Sequence, residues 1–190
     1  MRIACALSGD QLDCNQLDVL VLPEGSALED LQALSRRNPQ LLVVGAAAEG
    51  EHTRAHALVN GRNQVDYLKI CTDGRSKGIG EPPKSVHFQF GPAVVAVLIC
   101  MDIQHEYRLD VKKVFDEASH PVKLLCIPAD MNGAWFSSAP VLGWQGVHLA
   151  LSNHCKTYPD WRARSLIAGT DGRWLAQQME TEPVVITLTA

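Results

Sequence analysis

Short runs in which nearly every residue is apolar recur along this chain, at Val19–Leu22, Leu41–Ala47, Ala93–Ile99, Lys123–Ile127 and Val147–Ser152. A strand with one face in water alternates apolar and polar residues. A run without that alternation is covered on both faces. Strands of this kind require other layers on either side, which selects an α/β layered domain over a Greek-key sandwich. Two segments carry the period of covering helices. In Ala27–Arg37, Leu28, Leu31 and Leu34 recur at helical spacing, with Ser26 as the expected N-cap and Asn38-Pro39 as the stop. In His105–Ala118 the expected inward residues are Leu109, Val111, Val114 and Phe115. Weaker strand patterns complete the reading at Arg2–Leu7, Val86–Phe90, Arg164–Ala168, Trp174–Gln177 and Pro183–Thr189. Thr53–Val59 and Gln64–Ile70 flank Asn60-Gly61 and are expected to form a hairpin. Pro23 and Pro128 are expected to end the strands they follow. The result is roughly ten strands against two helices, in one domain spanning 1–190 without repeat or linker.

Composition removes several function classes. The chain has 190 residues, 46% of them hydrophobic, and a formal net charge of −4 from 17 Lys+Arg and 21 Asp+Glu. That balance excludes disorder and lacks the basic excess or stripe of a nucleic-acid binder. Its apolar runs are far shorter than the roughly 20 residues a membrane helix needs. The apolar start Ile3–Leu7 breaks at Ser8-Gly9-Asp10, so no signal peptide is read and a cytoplasmic protein is expected. The six cysteines and seven histidines are dispersed. No pair has the spacing of a zinc knuckle or redox dithiol, and His154-Cys155 would need distant partners, so no metal site is expected.

Three reactive side chains share one context. Glu24 follows the run Val19–Leu22, Lys69 ends Gln64–Ile70, and Cys100 ends the most apolar run of all. Polar groups at strand ends of layered α/β proteins converge on one crevice, where ligands bind. An acid, an ammonium and a thiol meeting there make an activated nucleophile: the carboxylate takes the thiol proton and the cation favours the thiolate. Each residue also has a plain reading: Glu24 as a solvated acid, Lys69 as a snorkelling lysine, Cys100 as a small core residue.

Leu22-Pro23-Glu24, Tyr67-Leu68-Lys69 and Ile99-Cys100-Met101-Asp102, in this order, resemble the three signatures of the nitrilase (carbon–nitrogen hydrolase) superfamily. The likeness continues through Glu106 and Arg108, Ile127-Pro128-Ala129, Leu151-Ser152-Asn153, and Ser165-Leu166-Ile167 with Asp171-Gly172-Arg173. It implies a four-layer α-β-β-α sandwich, and thiol-dependent hydrolysis of a non-peptide carbon–nitrogen bond, most simply in a small amide. Glu24 would be the base, Cys100 the nucleophile, and Lys69 with the Met101 backbone N–H the oxyanion donors. No metal or organic cofactor is implied. Glu81 is the candidate for the second acid the family often places after its lysine, with a solvated loop charge as the alternative. Asp102, Glu106 and Arg108 are expected to cap and brace the helix after the nucleophile.

The chain departs from that pattern by its short helical layers. The family's first helix has no room near Asp10–Asp18, and most of another is missing near Ala139–Gly146. Uncovered sheet predicts a two-fold homodimer, unless Trp135, Phe136 and Trp144 fold over the gap. Two other readings stand beside the hydrolase. One is a pseudoenzyme or binding module with the same fold. The other is an isochorismatase-like amidase with Asp10 as the acid of an Asp–Lys–Cys triad.

Overall fold

The computed structural model describes residues 1–71, 78–79, 83–130, 144–153, 164–179 and 182–188. Its described strands are β1 (Arg2–Cys5), β2 (Val19–Glu24), β3 (Leu42–Glu49), β4 (His52–Val59), β5 (Arg62–Asn63), β6 (His87–Phe90), β7 (Ala93–Val97), β8 (Val122–Ala129), β9 (His148–Asn153), β10 (Arg164–Ala168), β11 (Trp174–Met179) and β12 (Val184–Thr187). They form two six-stranded sheets, ordered β12-β1-β2-β3-β4-β5 and β11-β10-β9-β8-β7-β6. In each sheet the central strands run parallel (β1-β2-β3 and β7-β8-β9) and the outer pairings are antiparallel. The sheets pack face to face, β2 lying over β8 and β9. The apolar runs are therefore central strands, as their lack of alternation requires.

Helices α1 (Leu28–Arg37) and α2 (Arg108–Glu117) complete a four-layer α-β-β-α sandwich with reduced helical layers. The two faces of the first sheet are distinct. Ile3, Cys5, Val19, Val21, Leu42 and Val44 enter the core between the sheets. Ala4, Leu20, Leu22 and Val43 pack instead beneath Leu31 and Leu34 of α1. Full burial of each such leucine contributes about 1.5–3 kcal/mol. Gly45 makes the close approach possible, since a Cβ there would lie 2.9 Å from Leu31 Cδ2. On the second sheet Val111 and Phe115 of α2 are buried, and the Phe115 ring meets Trp144 edge-on at 6.4 Å. Where the first helix has no room, the described chain makes only two 3₁₀ turns, Gly9–Gln11 and Cys14–Gln16. Leu12 and Leu17 from this segment cover the sheet in its place. No described helix is long and apolar enough to cross a membrane.

Several local expectations are corrected. Pro23 and Pro128 do not end their strands: β2 continues to Glu24 and β8 to Ala129. Ala27 holds the N-cap of α1, while the Ser26 hydroxyl donates to the Pro23 carbonyl at 2.8 Å. Helix α2 begins at Arg108 because a 3₁₀ turn, Cys100–Gln104, takes up the preceding chain. Leu109 is 51% exposed, since it sits about 200° around the helix from Val111. The Asn60-Gly61 hairpin forms with both residues at positive φ, 49° and 73°, but regular pairing stops after β5. Beyond it, Gln64–Ile70 stays beside β4 through single contacts such as Ala55 N–H to Tyr67 O at 2.9 Å.

Candidate active site

Glu24 reaches the interior through a break in strand register. Val21 pairs with Val44, yet Glu24 pairs with Ala46, so β2 carries one extra residue around Pro23. Simple alternation from Val19 and Val21 would point residue 24 at the α1 face. The bulge flips it to the face of Ala46, between the sheets. A proline fits such a bulge because the missing N–H falls where the ladder is already interrupted. Gly25 follows at φ 84° and donates its N–H to Ala46 O at 2.8 Å, turning the chain away.

Lys69 arrives by alternation alone. Val65, Tyr67 and Lys69 are buried on one side of their extended segment, with exposed Asp66 and half-buried Leu68 between them. The Lys69 backbone N–H donates to Thr53 O at 2.8 Å. Its side chain has no solvent exposure, and its Nζ donates to Glu24 Oε1 at 2.7 Å. An ammonium taken wholly from water needs a carboxylate this close to offset its desolvation.

Cys100 stands at the turn from β7 into the Cys100–Gln104 3₁₀ helix. Its φ of 46° lies in the left-handed region, which costs a non-glycine residue about 1–2 kcal/mol. Strain of this kind persists only where the surroundings fix it. Cys100 is 1% exposed, and its thiol donates to the Asp130 carbonyl at 3.8 Å within reach of the Glu24 and Lys69 charges. Burial above all, and then the Glu24 charge, pushes the thiol up to about 12, with the Lys69 cation opposing. The resting sulfur is therefore a neutral thiol, and the cation does not by itself ionise it. Met101, the next residue of the 3₁₀ turn, is half-buried.

Glu24, Lys69 and Cys100 are thus one buried cluster where β2, the Lys69 segment and β7 end. Glu81, Trp135 and Phe136 lie outside the described residues, as does His154-Cys155. Asp10 is exposed, and its charge acts on Cys14 rather than Cys100. The Asp–Lys–Cys arrangement is accordingly not built. Arg108 Nη1 donates to the carbonyls of Gln104 and His105 at 3.1 and 3.3 Å, bracing the turn that follows Cys100. Asp102 does not cap the helix as expected, since neither the Cys100–Gln104 turn nor α2 has a side-chain cap. Its carboxylate accepts from the Tyr67 hydroxyl, from Ile70 N–H at 3.0 Å and from Cys71 N–H at 2.7 Å. The Tyr67 oxygen in turn accepts from Ile99 N–H at 3.1 Å. Sequence reasoning gave Tyr67 no task. Its two-residue spacing from Lys69, hence the same strand face, was the available signal.

No protein-family model matches the sequence, and neither does any curated protein. Solved structures do match. The chain aligns with the amidase from Nesterenkonia sp. AN1 at TM-score 0.72 and 19% identity, covering 100% of this chain and 93% of that one. That structure is a glutamate-to-glutamine mutant whose active-site cysteine has undergone Michael addition of acrylamide. A cysteine-to-alanine mutant of the same enzyme, described as an amidase of the nitrilase superfamily, aligns at TM-score 0.72 and 17% identity over 99% and 90% of the two chains. A CN-hydrolase superfamily protein from Xanthomonas campestris, with an arsenic adduct in its active site, aligns at TM-score 0.72 and 14% identity over 100% and 91%. The fold of this chain is the nitrilase-type sandwich.

Proposed function

We propose that this chain is a carbon–nitrogen hydrolase of the nitrilase type, cleaving a small amide through an acyl-enzyme on Cys100. The observation that carries the reading is the Lys69–Glu24 ion pair, closed at 2.7 Å and buried against the Cys100 thiol. A base, a cation and a nucleophile are brought together there at a cost in desolvation that an apolar core would avoid. The fold supports it, being that of amidases whose active-site residue is a cysteine. Acrylamide, captured by the Nesterenkonia enzyme, is itself a small amide.

The proposed chemistry uses these groups in turn. Glu24 takes the Sγ proton as sulfur bonds to the amide carbon, and the carbonyl π pair moves to oxygen. The Lys69 ammonium and the Met101 N–H receive that oxyanion. Preorganised donors of this kind contribute about 3–4 kcal/mol each. Collapse of the intermediate expels the nitrogen, which leaves as ammonia or an amine with the proton Glu24 held. Water then adds to the thioester, giving its proton to Glu24. The second collapse releases the carboxylic acid and returns the proton to sulfur. A thiol held near 12 suits this cycle, because the proton moves only when a carbonyl carbon is present to take the electron pair.

A panel of small amides, N-carbamoyl compounds and nitriles tests the reading, followed by ammonia release and by intact mass of the trapped acyl-enzyme. Cys100→Ala should abolish turnover and adduct while preserving the fold. Silence across the panel, with no acyl mass on Cys100, would sink the hydrolase and leave a binding module on the same scaffold.

A further inference from the structure

We infer that Tyr67 and Asp102 form a buried clamp that sets the Lys69 ammonium against the Cys100 sulfur, which makes both of them positioning residues. The inference rests on the hydrolase reading and adds to it two groups that touch no reacting atom. Its basis is the pattern of partners. The Asp102 carboxylate is held by the hydroxyl of Tyr67 and the amides of Ile70 and Cys71, which bracket Lys69 from both sides in sequence. The other end of the network brackets the nucleophile in the same way. Tyr67 accepts from the amide of Ile99, and Asp102 donates its own N–H to Ile99 O at 2.9 Å. Every link therefore joins a neighbour of Lys69 to a neighbour of Cys100, or closes the turn that holds Cys100.

Both side chains have no solvent exposure. A buried carboxylate is costly unless donors saturate it, and an apolar pair of similar volume would fill the space more cheaply. Directional bonds give what apolar packing does not, a fixed offset between two backbones. The lysine segment needs that offset. Beyond β5 it is tied to β4 only by scattered bonds, and two short isolated bridges, Arg54–Leu68 and Asp66–Ser85, are its only ladder contacts among the described residues. The strained φ of Cys100 needs it as well.

Tyr67→Phe tests the clamp because the ring stays while the oxygen goes. Asp102→Asn is the second variant. On proteins shown to be folded by near-ultraviolet circular dichroism, two quantities are measured: kcat and KM for a small amide, and the alkylation rate of Cys100 by iodoacetamide, followed by peptide mass. A displacement on the order of 1 Å can lower a rate by about 100-fold. The expected result is a 10- to 100-fold loss in kcat with KM changed less than about threefold, and alkylation slowed about tenfold as the thiolate loses its cation. In a Lys69→Ala background, Tyr67→Phe should then cost little more. Unchanged kcat in both folded variants would overturn the clamp. So would equal losses with and without Lys69, faster alkylation, or failure of both variants to fold. A wild-type protein that hydrolyses no amide would end the hydrolase reading instead, and the alkylation rates would still judge the clamp.

Discussion

Replacing Glu24 by Gln isolates the proton transfer on which the mechanism turns. The amide keeps an oxygen at the position of Oε1, so Lys69 Nζ retains an acceptor at the 2.7 Å contact. What disappears is the base. With the thiol held near 12, forming a free thiolate at pH 7.4 costs about 6 kcal/mol, at 1.36 kcal/mol per unit. General-base transfer avoids that ionisation and is worth about 10²–10⁴-fold, so kcat at pH 7.4 should fall by about that factor. The variant also loses the negative charge that is the second cause of the raised thiol, so its Cys100 should titrate below the wild-type value. Two pH profiles follow. Wild-type kcat stays flat between pH 7 and 9, while the variant's climbs about tenfold per unit as solvent removes the proton instead. Ammonia release across that range, with a thermal melt to confirm folding, measures both. A variant that keeps more than about a tenth of wild-type turnover, or whose residual rate ignores pH, would refute Glu24 as the base.

Lys69→Ala should lower kcat more than it raises KM, since its work is on the oxyanion. It should also destabilise the fold by about 3–5 kcal/mol by leaving Glu24 buried without its cation, as urea denaturation would report. Alkaline stability gives a test independent of substrate. A thiol raised from 9.0 to about 12 on folding stabilises fully below pH 9, and that stability is lost as pH rises toward 12. Cys100→Ala should therefore lose about 2 kcal/mol less than wild type between pH 8 and 10.5, and parallel curves would contradict the buried thiol. Self-association remains our expectation at micromolar concentration. Leu12 and Leu17 already cover the gap near Asp10–Asp18, and most of the gap near Ala139–Gly146 lies outside the described residues. Sedimentation should show a dimer. A 20.8 kDa wild-type species would reject it.

The layers were legible because they rest on strong local signals: runs such as Ala93–Ile99 cannot face water. Strand-end position left Glu24, Lys69 and Cys100 with plain readings as well, and it was the likeness of their short motifs to the nitrilase signatures that singled them out. What escaped depends on tertiary register. The bulge at Pro23 arises only once β2 is laid against β3, so a proline that reads as a stop turns out to aim Glu24 between the sheets. Leu109 looked inward because it is apolar, although two residues from Val111 on a helix is the opposite side. Tyr67 and Asp102 are 35 residues apart, and no local pattern announces a hydrogen bond across that interval.

The pairing of β1 with β12 has a consequence for biogenesis. Met1 donates its amino group to Leu188 O across 187 residues of chain, and Arg2–Cys5 align with Val184–Thr187 in antiparallel register. During synthesis β1 therefore emerges long before its outer neighbour exists. Until then its bare edge is short, uncharged beyond Arg2 and lined by Ile3, Ala4 and Cys5, all fully buried in the finished molecule. Such an edge is a template for pairing with another nascent chain. A ribosome-bound intermediate lacking β12 should thus need a holdase over β1, and translation stalled before Val184 should yield aggregates rather than a soluble fragment.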